Sequence, residues 1–133
     1  MKNGIEDSGR RILLLHDLQE TREAIESLLK RDGYRVYGAS DESGAIDRAR
    51  CHPPDLILIS LGGAPQRVLS GAQRIRSEAG LDLRTPIVVL SISTVPEGSE
   101  LHIGEEVYVT LPDNFNQLRA LLTRLMKAGS KTG

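Results

Sequence analysis

The chain has 133 residues, of which 39% are hydrophobic and 26% charged, so it has room for one globular domain with its own core and is too short for two. Its 17 basic and 18 acidic side chains leave a net charge of -1, which disfavours nucleic acid or a membrane surface as a partner. A single cysteine, Cys51, excludes an internal disulfide, and the polar segment Met1–Gly9 is unlike a secretory leader. These features predict a cytoplasmic setting.

Strand patterns alternate with helix patterns along the chain. The five predicted strands are Arg11–His16, Tyr34–Ala39, Asp55–Ser60, Pro86–Ser91 and Val107–Thr110. Apolar residues at helical spacing follow the first three strands and the fifth, with Ser40 or Asp41 and then Asp113 as predicted N-caps. This alternation predicts an α/β fold, namely a flavodoxin-like doubly wound five-stranded parallel sheet of order 2-1-3-4-5 with helices on both faces.

The segment between the fourth and fifth strands departs from this pattern. Ser93–Gly104 contains Pro96 and two glycines and has few apolar anchors, so we expect a fourth helix that is short, irregular or mobile. The domain is expected to span residues 10–128, with 1–9 as a flexible tail and 129–133 as a tail or linker stub. Cys51 falls late in a predicted helix, which favours a partly buried structural thiol.

The third strand ends in a serine at the edge of the sheet where α/β proteins place their functional residues. Its apolar run, Leu56–Ile59, is typical of a strand that is covered on both faces. Ser60 follows directly, and ligands of open α/β sheets bind at the carboxyl ends of the strands. We therefore place Ser60 at the functional edge.

Four landmarks in chain order resemble the receiver domain of bacterial two-component response regulators, over nearly the whole chain. They are Ile12–Asp17, Pro54–Ser60, Thr85–Ser91 and Tyr108–Pro112. The resemblance implies an aspartate closing strand three that accepts a phosphoryl group, and an acidic pair after strand one that helps to hold Mg²⁺. It also implies a Ser or Thr closing strand four and a lysine before the proline that follows strand five.

Three of these five positions are changed in this chain. Ser60 stands at the phosphoacceptor position, His16 replaces the first acid and Leu111 replaces the lysine, whereas Asp17 and Ser91 keep the family's residue types. One carboxylate beside an imidazole is a poor magnesium site, because Mg²⁺ prefers oxygen ligands. A serine without an adjacent base is a weak nucleophile. We therefore expect no metal, no cofactor and no phosphorylation at this position.

Other interpretations of the same residues remain open. His16, Asp17 and Ser60 could suggest a hydrolase triad, but adjacent residues on a strand point to opposite sides, and we expect no enzyme activity. Asp17 could simply cap the first helix. As an alternative function, the altered pocket around His16, Asp17, Ser60, Ser91 and Leu111 could sense a small ligand.

The main hypothesis is a degenerate, phosphorylation-independent receiver domain that acts as a protein interaction or dimerisation module. The resemblance implies a signalling face built from helix four, strand five and helix five. Its candidate surface residues are Leu101, Tyr108, Gln117, Arg119 and Arg124. The expected partner is another signalling protein, the chain's own output domain or a second copy, with no nucleic acid and no membrane.

Overall fold

The computed structural model describes residues 10–61, 65–90, 98–112 and 114–130. The strands in this part of the chain are β1 (Arg11–His16), β2 (Arg35–Ala39), β3 (Leu56–Ser60), β4 (Ile87–Leu90), β5 (Glu100–Gly104) and β6 (Val107–Thr110). The helices are α1 (Gln19–Arg31), α2 (Glu42–Cys51), α3 (Pro65–Glu78) and α4 (Phe115–Ser130). Among these residues, no helix combines the length and the apolar character needed to cross a membrane.

The strands form one sheet of order β2-β1-β3-β4-β6-β5, which is parallel except for β5. Five strands therefore follow the predicted order 2-1-3-4-5, with β6 as the predicted fifth strand. The prediction of a purely five-stranded parallel sheet is wrong at one edge, because β5 adds a sixth, antiparallel strand beside β6. The sheet is nevertheless doubly wound, as the alternation of elements predicted.

Alternate residues of the central strands point into two separate cores. On one face, Leu13 and Leu15 of β1 pack in a cluster that also includes Ala45 and Ala49 of α2 and residues of α3. On the other face, Ile12 and Leu14 pack with side chains of α1 and α4. Because both faces are covered, β1 and β3 are continuous apolar runs, which is why the sequence predicted them well.

Helix ends follow the predicted cap chemistry in one place and differ in another. The Asp41 side chain accepts the N–H of Gly44 at 2.8 Å and caps α2, as predicted. In α4 the cap is Asn114, whose Oδ1 accepts the N–H of Gln117 at 3.0 Å. The predicted cap, Asp113, lies outside the described residues. Cys51 is exposed, so the expectation of a partly buried thiol is wrong.

The expected fourth helix is replaced by strand structure over its second half. Residues 100–104 form β5, which pairs with β6 through a tight turn at Glu105 and Glu106. Both turn residues have positive φ angles, of 49° and 60°, a conformation that side chains other than glycine, asparagine and aspartate rarely adopt. The first half of the expected helix, residues 93–97, lies outside the described residues, as does the expected tail at 1–9. Of the expected tail at 129–133, residues 129 and 130 belong to α4 and residues 131–133 lie outside the described residues.

A buried arginine of α3 holds this turn in place. Arg76 is 1% exposed, and its Nη1 donates to the carbonyl oxygens of Leu83, Thr85 and Glu105 at 3.2, 3.1 and 2.7 Å. Burial lowers the pKa of the Arg76 guanidinium, and the nearby negative charge of Glu105 opposes that shift. The side chain thus connects α3, the loop before β4 and the β5–β6 turn.

We expect Arg76→Met to lower the free energy of unfolding by about 2–4 kcal/mol, because it removes the buried donor that three backbone carbonyl groups share. Urea denaturation measures the change. Arg74→Met is the matched control on the same helix, since Arg74 is half exposed and pairs with Glu42 at the surface. Its expected cost is at most about 1 kcal/mol. Equal costs for the two variants would contradict this role of Arg76.

Candidate functional site

The carboxyl ends of β1 and β3 bring His16 and Ser60 side by side. The two residues are register partners in the parallel pairing, so their side chains lie on the same face of the sheet. His16 is 7% exposed, and Ser60 is partly buried as the last residue of β3. The strand ends therefore assemble the two predicted site residues, as the sequence indicated.

The imidazole of His16 has a structural partner that the sequence did not reveal. Its Nδ1 accepts the backbone N–H of Leu18 at 3.1 Å, and the same nitrogen lies 3.5 Å from Oδ1 of Asp17. A nitrogen that accepts a hydrogen bond carries no proton, so the shorter contact assigns a neutral ring with its proton on Nε2. The contact to Asp17 is then not an ion pair.

Asp17 does not cap the first helix, so that expectation is wrong. The N-cap residue of α1 is Leu18, which has no side-chain cap, and the Asp17 side chain is 51% exposed. His16 satisfies the N–H of Leu18 instead, and Arg22 of α1 donates to the backbone carbonyl of His16 at 2.8 Å. Hydrogen bonds to the ring and to the backbone carbonyl of His16 thus hold the junction between β1 and α1.

Leu111 takes part in the core and in the start of the hairpin. Its partly buried side chain packs against the core cluster on the α2 and α3 face. Its N–H donates to Ser99 at 3.3 Å, and its carbonyl accepts the N–H of Gly98 at 2.6 Å. Both backbone groups therefore hold the residues that lead into β5. Ser91 lies outside the described residues.

A cavity of about 130 Å³ lies on the sheet face that α2 and α3 cover. Its apolar wall includes Leu15, Ile59 and Ile75, and Glu42 and Arg67 also line it. None of His16, Ser60 and Leu111 lines this space. The small-ligand hypothesis for the pocket around Ser60 thus gains no support from this cavity and stays a prediction.

The residues of the candidate interaction face do not all lie together. Tyr108 stacks on His102 of β5, with ring centroids 4.4 Å apart, and Arg124 of α4 forms an ion pair with Glu100 of β5. Gln117 donates to the carbonyl of Gly98 at 2.8 Å, on the same side of α4 as Arg124. Tyr108, Gln117 and Arg124 therefore form one surface with β5.

Arg119 and Leu101 lie elsewhere. The Nε of Arg119 is 2.7 Å from Oδ2 of Asp32, so this side chain bridges α4 to the end of α1. Leu101 is opposite Val109 in the antiparallel pairing, which places it on the other face of the sheet from Tyr108. Its position on a strand, and not on a helix, follows from the replacement of the expected fourth helix.

Known proteins with similar sequences and structures identify the family, although no family model matches the chain. The chain is 32% identical over 113 residues to the transcriptional regulatory protein KdpE of Mycobacterium tuberculosis, covering 84% of this chain and 48% of that protein. It is 33% identical over 119 residues to the cell cycle transcriptional regulator CtrA of Caulobacter vibrioides, covering 88% and 50%.

The chemotaxis protein CheY4 of Vibrio cholerae has the same fold, with a TM-score of 0.67 and 22% identity over 87% of this chain and 98% of that one. The chain is a receiver domain. It spans about half the length of the curated relatives named above. A receiver domain of a Pseudomonas aeruginosa sensor histidine kinase, 23% identical with a TM-score of 0.65 over 90% and 98% of the two chains, was crystallised with magnesium in its active-site cleft.

The side chains at the corresponding edge of this receiver domain do not fit a magnesium ion. The described residues contain no group of three or more His, Cys, Asp or Glu side chains that could hold a metal. His16 offers an imidazole whose Nδ1 already accepts a hydrogen bond, and Ser60 offers only a hydroxyl. Asp17 is the one carboxylate among the three, and Mg²⁺ needs hard oxygen ligands in a near-octahedral arrangement.

We expect a titration with Mg²⁺ to about 10 mM to leave the backbone amide resonances of Asp17 and Ser60 nearly unmoved, because one carboxylate cannot offset the cost of dehydrating the ion. Two-dimensional NMR measures the shifts. The double variant His16→Asp with Ser60→Asp supplies two further carboxylates, and its resonances should move. Saturation of the unmodified chain below about 1 mM would contradict the expectation.

Tyr108 provides a pH-dependent marker of the surface formed with β5. Burial, followed by the charge and the hydrogen bond of Glu106, raises its pKa above the ordinary value of 10.0. A folded-state pKa above the unfolded one means that the stability contributed by Tyr108 is present below about pH 10 and is lost as the pH rises through the folded-state value.

A titration followed by the ultraviolet absorbance of tyrosinate should therefore contain a late ionisation above pH 10. Tyr108→Phe should remove that late step, because the substitution removes the hydroxyl beside Glu106. The control Tyr34→Phe keeps Tyr108 and should keep the step. A late step that survives Tyr108→Phe would assign it to another group.

Proposed function

We propose that this receiver domain is degenerate and signals as a protein interaction module without accepting a phosphoryl group on an aspartate. The observation that carries the proposal is the pairing of Ser60 with His16 at the carboxyl ends of β3 and β1. The edge of the sheet keeps the receiver geometry, but the residue at the phosphoacceptor position is a hydroxyl and its neighbour is a neutral imidazole.

Leu111 supports the proposal from the other side of the site. A developing phosphoryl charge needs a cation or oriented donors, and a leucine supplies neither. Because the Leu111 side chain packs on the core and its backbone holds Gly98 and Ser99, the position has a structural role. A leucine in place of the family's lysine thus removes the positive charge that would pair with a phosphoryl group and adds apolar contacts with the core.

We also propose that the domain has no hydrolytic activity of its own. In a serine hydrolase the histidine nitrogen that faces the acid carries a proton, and the other nitrogen accepts from the serine. Here Nδ1 of His16 accepts from the backbone of Leu18 and so cannot donate to Asp17. The three residues therefore lack the relay that would activate Ser60.

The interaction surface proposed for signalling combines β5, β6 and the adjoining side of α4. It exposes Arg124 and Glu100 as an ion pair and presents the stacked rings of His102 and Tyr108. A response regulator of Thermotoga maritima that shares the fold, at 19% identity, was crystallised in complex with a histidine kinase. By analogy we propose a signalling protein, the chain's own output domain or a second copy as partner, in the cytoplasm.

Incubation with acetyl phosphate and Mg²⁺ tests the loss of phosphotransfer. We expect the intact mass of the unmodified chain to stay constant, because Ser60 lacks a base and the site lacks both the metal and the cation. The triple variant His16→Asp, Ser60→Asp, Leu111→Lys is the positive control, and it should gain one phosphoryl group. A stoichiometric gain by the unmodified chain, lost in Ser60→Ala, would reject the proposal.

A further inference from the structure

The outer strand of the sheet, β5, has an unusual surface for the edge of a monomer. All five of its residues, Glu100–Gly104, are exposed, and its neighbour on the inner side is β6. The strand contains neither lysine nor proline, which are residues that commonly prevent edge strands from pairing with another chain. Backbone groups that β6 does not use therefore face outward from an edge that no described strand covers.

The backbone alternation identifies which groups point outward. The N–H of Leu111 donates to Ser99 at 3.3 Å, so residue 99 turns its backbone groups toward the β6 side. Because hydrogen-bonding direction alternates along an antiparallel strand, Leu101 also turns toward β6, whereas Glu100 and His102 turn toward the free edge. The free edge is thus centred on His102.

An apolar pair accompanies this edge. The side chains of Leu101 and Ile103 are 47% and 45% exposed, and they flank His102 on β5. Leu101 lies on the sheet face that carries Val109, opposite to the face where His102 stacks on Tyr108, and Ile103 falls at the irregularity in the β5–β6 register. Their exposure shows that no described helix buries these two side chains.

We propose that β5 pairs in antiparallel fashion with β5 of a second copy, which joins the two sheets across a two-fold axis at His102. This inference rests on the proposed role of the domain as an interaction module. With His102 opposite its own equivalent, Leu101 lies opposite the second copy's Ile103, and the two exposed apolar pairs form one continuous patch. The strand is therefore complementary to itself.

The charges of the strand agree with this register. Glu100, already paired with Arg124, lies opposite the second copy's Gly104, and Glu105 lies opposite Ser99. No acidic side chain faces another acidic side chain across the axis, so the pairing avoids like-charge repulsion. A partner strand rich in acidic residues would instead bring like charges together across the pairing.

The pairing is short, and the dimer is correspondingly weak. The irregularity between His102 and Gly104 increases the local twist, so we expect the hydrogen-bonded part to centre on His102. Two five-residue strands bury less than the roughly 1,200–2,000 Å² of a standard interface. We therefore expect a dissociation constant of roughly 10–1,000 µM.

Sedimentation equilibrium over roughly 10 µM to 1 mM tests the dimer on the full chain. We expect a monomer–dimer equilibrium, and Ile103→Lys should raise the dissociation constant at least about tenfold by placing a charge in the apolar patch. Leu83→Lys is the matched control, since Leu83 is 59% exposed in the loop before β4. It should leave the dissociation constant within about twofold.

Cross-linking tests the register. In a Cys51→Ser background, His102→Cys should form a disulfide-linked dimer, because residues opposite each other in a hydrogen-bonded antiparallel pair have Cα atoms about 5.5 Å apart, within the range of a disulfide. Leu83→Cys in the same background should stay monomeric. Equal cross-linking of the two would overturn the register even if a dimer is present.

A chain that stays monomeric up to about 1 mM would overturn the pairing of β5 with a second copy. Equal effects of Ile103→Lys and Leu83→Lys on the dissociation constant would also overturn it. The outer edge of β5 would then be available to another segment or another protein. Circular dichroism and urea denaturation of each variant verify that it is folded. The acetyl phosphate experiment decides the proposed function separately, because a phosphorylated chain could still dimerise and a chain that is not phosphorylated could still be monomeric.

Discussion

The parallel pairing of β1 with β3 is the constraint on which the rest of the structure depends. At its start, the Asp55 carboxylate accepts the N–H of Arg11, and the N–H of Asp55 donates to the carbonyl of Arg11, both at 2.7 Å. At its end, His16 lies beside Ser60. A slip of one residue would move every side chain of a strand to the opposite face, where neither core accepts it. The register therefore determines where the carboxyl ends of β1 and β3 lie, whatever side chains occupy those two positions.

This separation of geometry from chemistry explains how the domain keeps a receiver fold with altered site residues. The buried runs Ile12–Leu15 and Leu56–Ile59 determine the register, and both end just before the site. Substitutions at His16 and Ser60 change ligands and nucleophile without removing apolar area from either core. The proposed loss of phosphotransfer thus need not cost stability, and His16 even adds a local hydrogen bond.

The same physics decides how much could be predicted from the sequence. Strands covered on both faces are continuous apolar runs, so β1 was predicted with its observed bounds and the adjacency of His16 and Ser60 followed from the strand ends. The bounds of β6 were also predicted. The hydrogen bond from Leu18 to the His16 ring could not be predicted, because it depends on a side-chain orientation. The alternative interpretation of Asp17 as a helix cap was wrong for the same reason.

The hairpin of β5 and β6 was missed for two reasons. Its turn carries Glu105 and Glu106 at positive φ, whereas the sequence signal for such a turn is asparagine or aspartate followed by glycine. Its main support, Arg76, sits among polar residues of α3 where a solvent-exposed side chain would be the ordinary interpretation. The alternation of Leu101, His102 and Ile103 is the one signal that could have indicated a strand.

Leu111 links the altered site to this hairpin. A leucine at the position of the family's lysine packs on the α2 and α3 core, and its two backbone groups bind Gly98 and Ser99 just before β5. The hairpin is thus held at one end by Leu111 and at its turn by Arg76. A switch that depends on an added charge needs a partner for that charge and an element that is free to move. This domain replaces the charge partner with an apolar anchor and fixes both ends of the hairpin, which supports the proposal that its interaction surface is available without a phosphoryl signal.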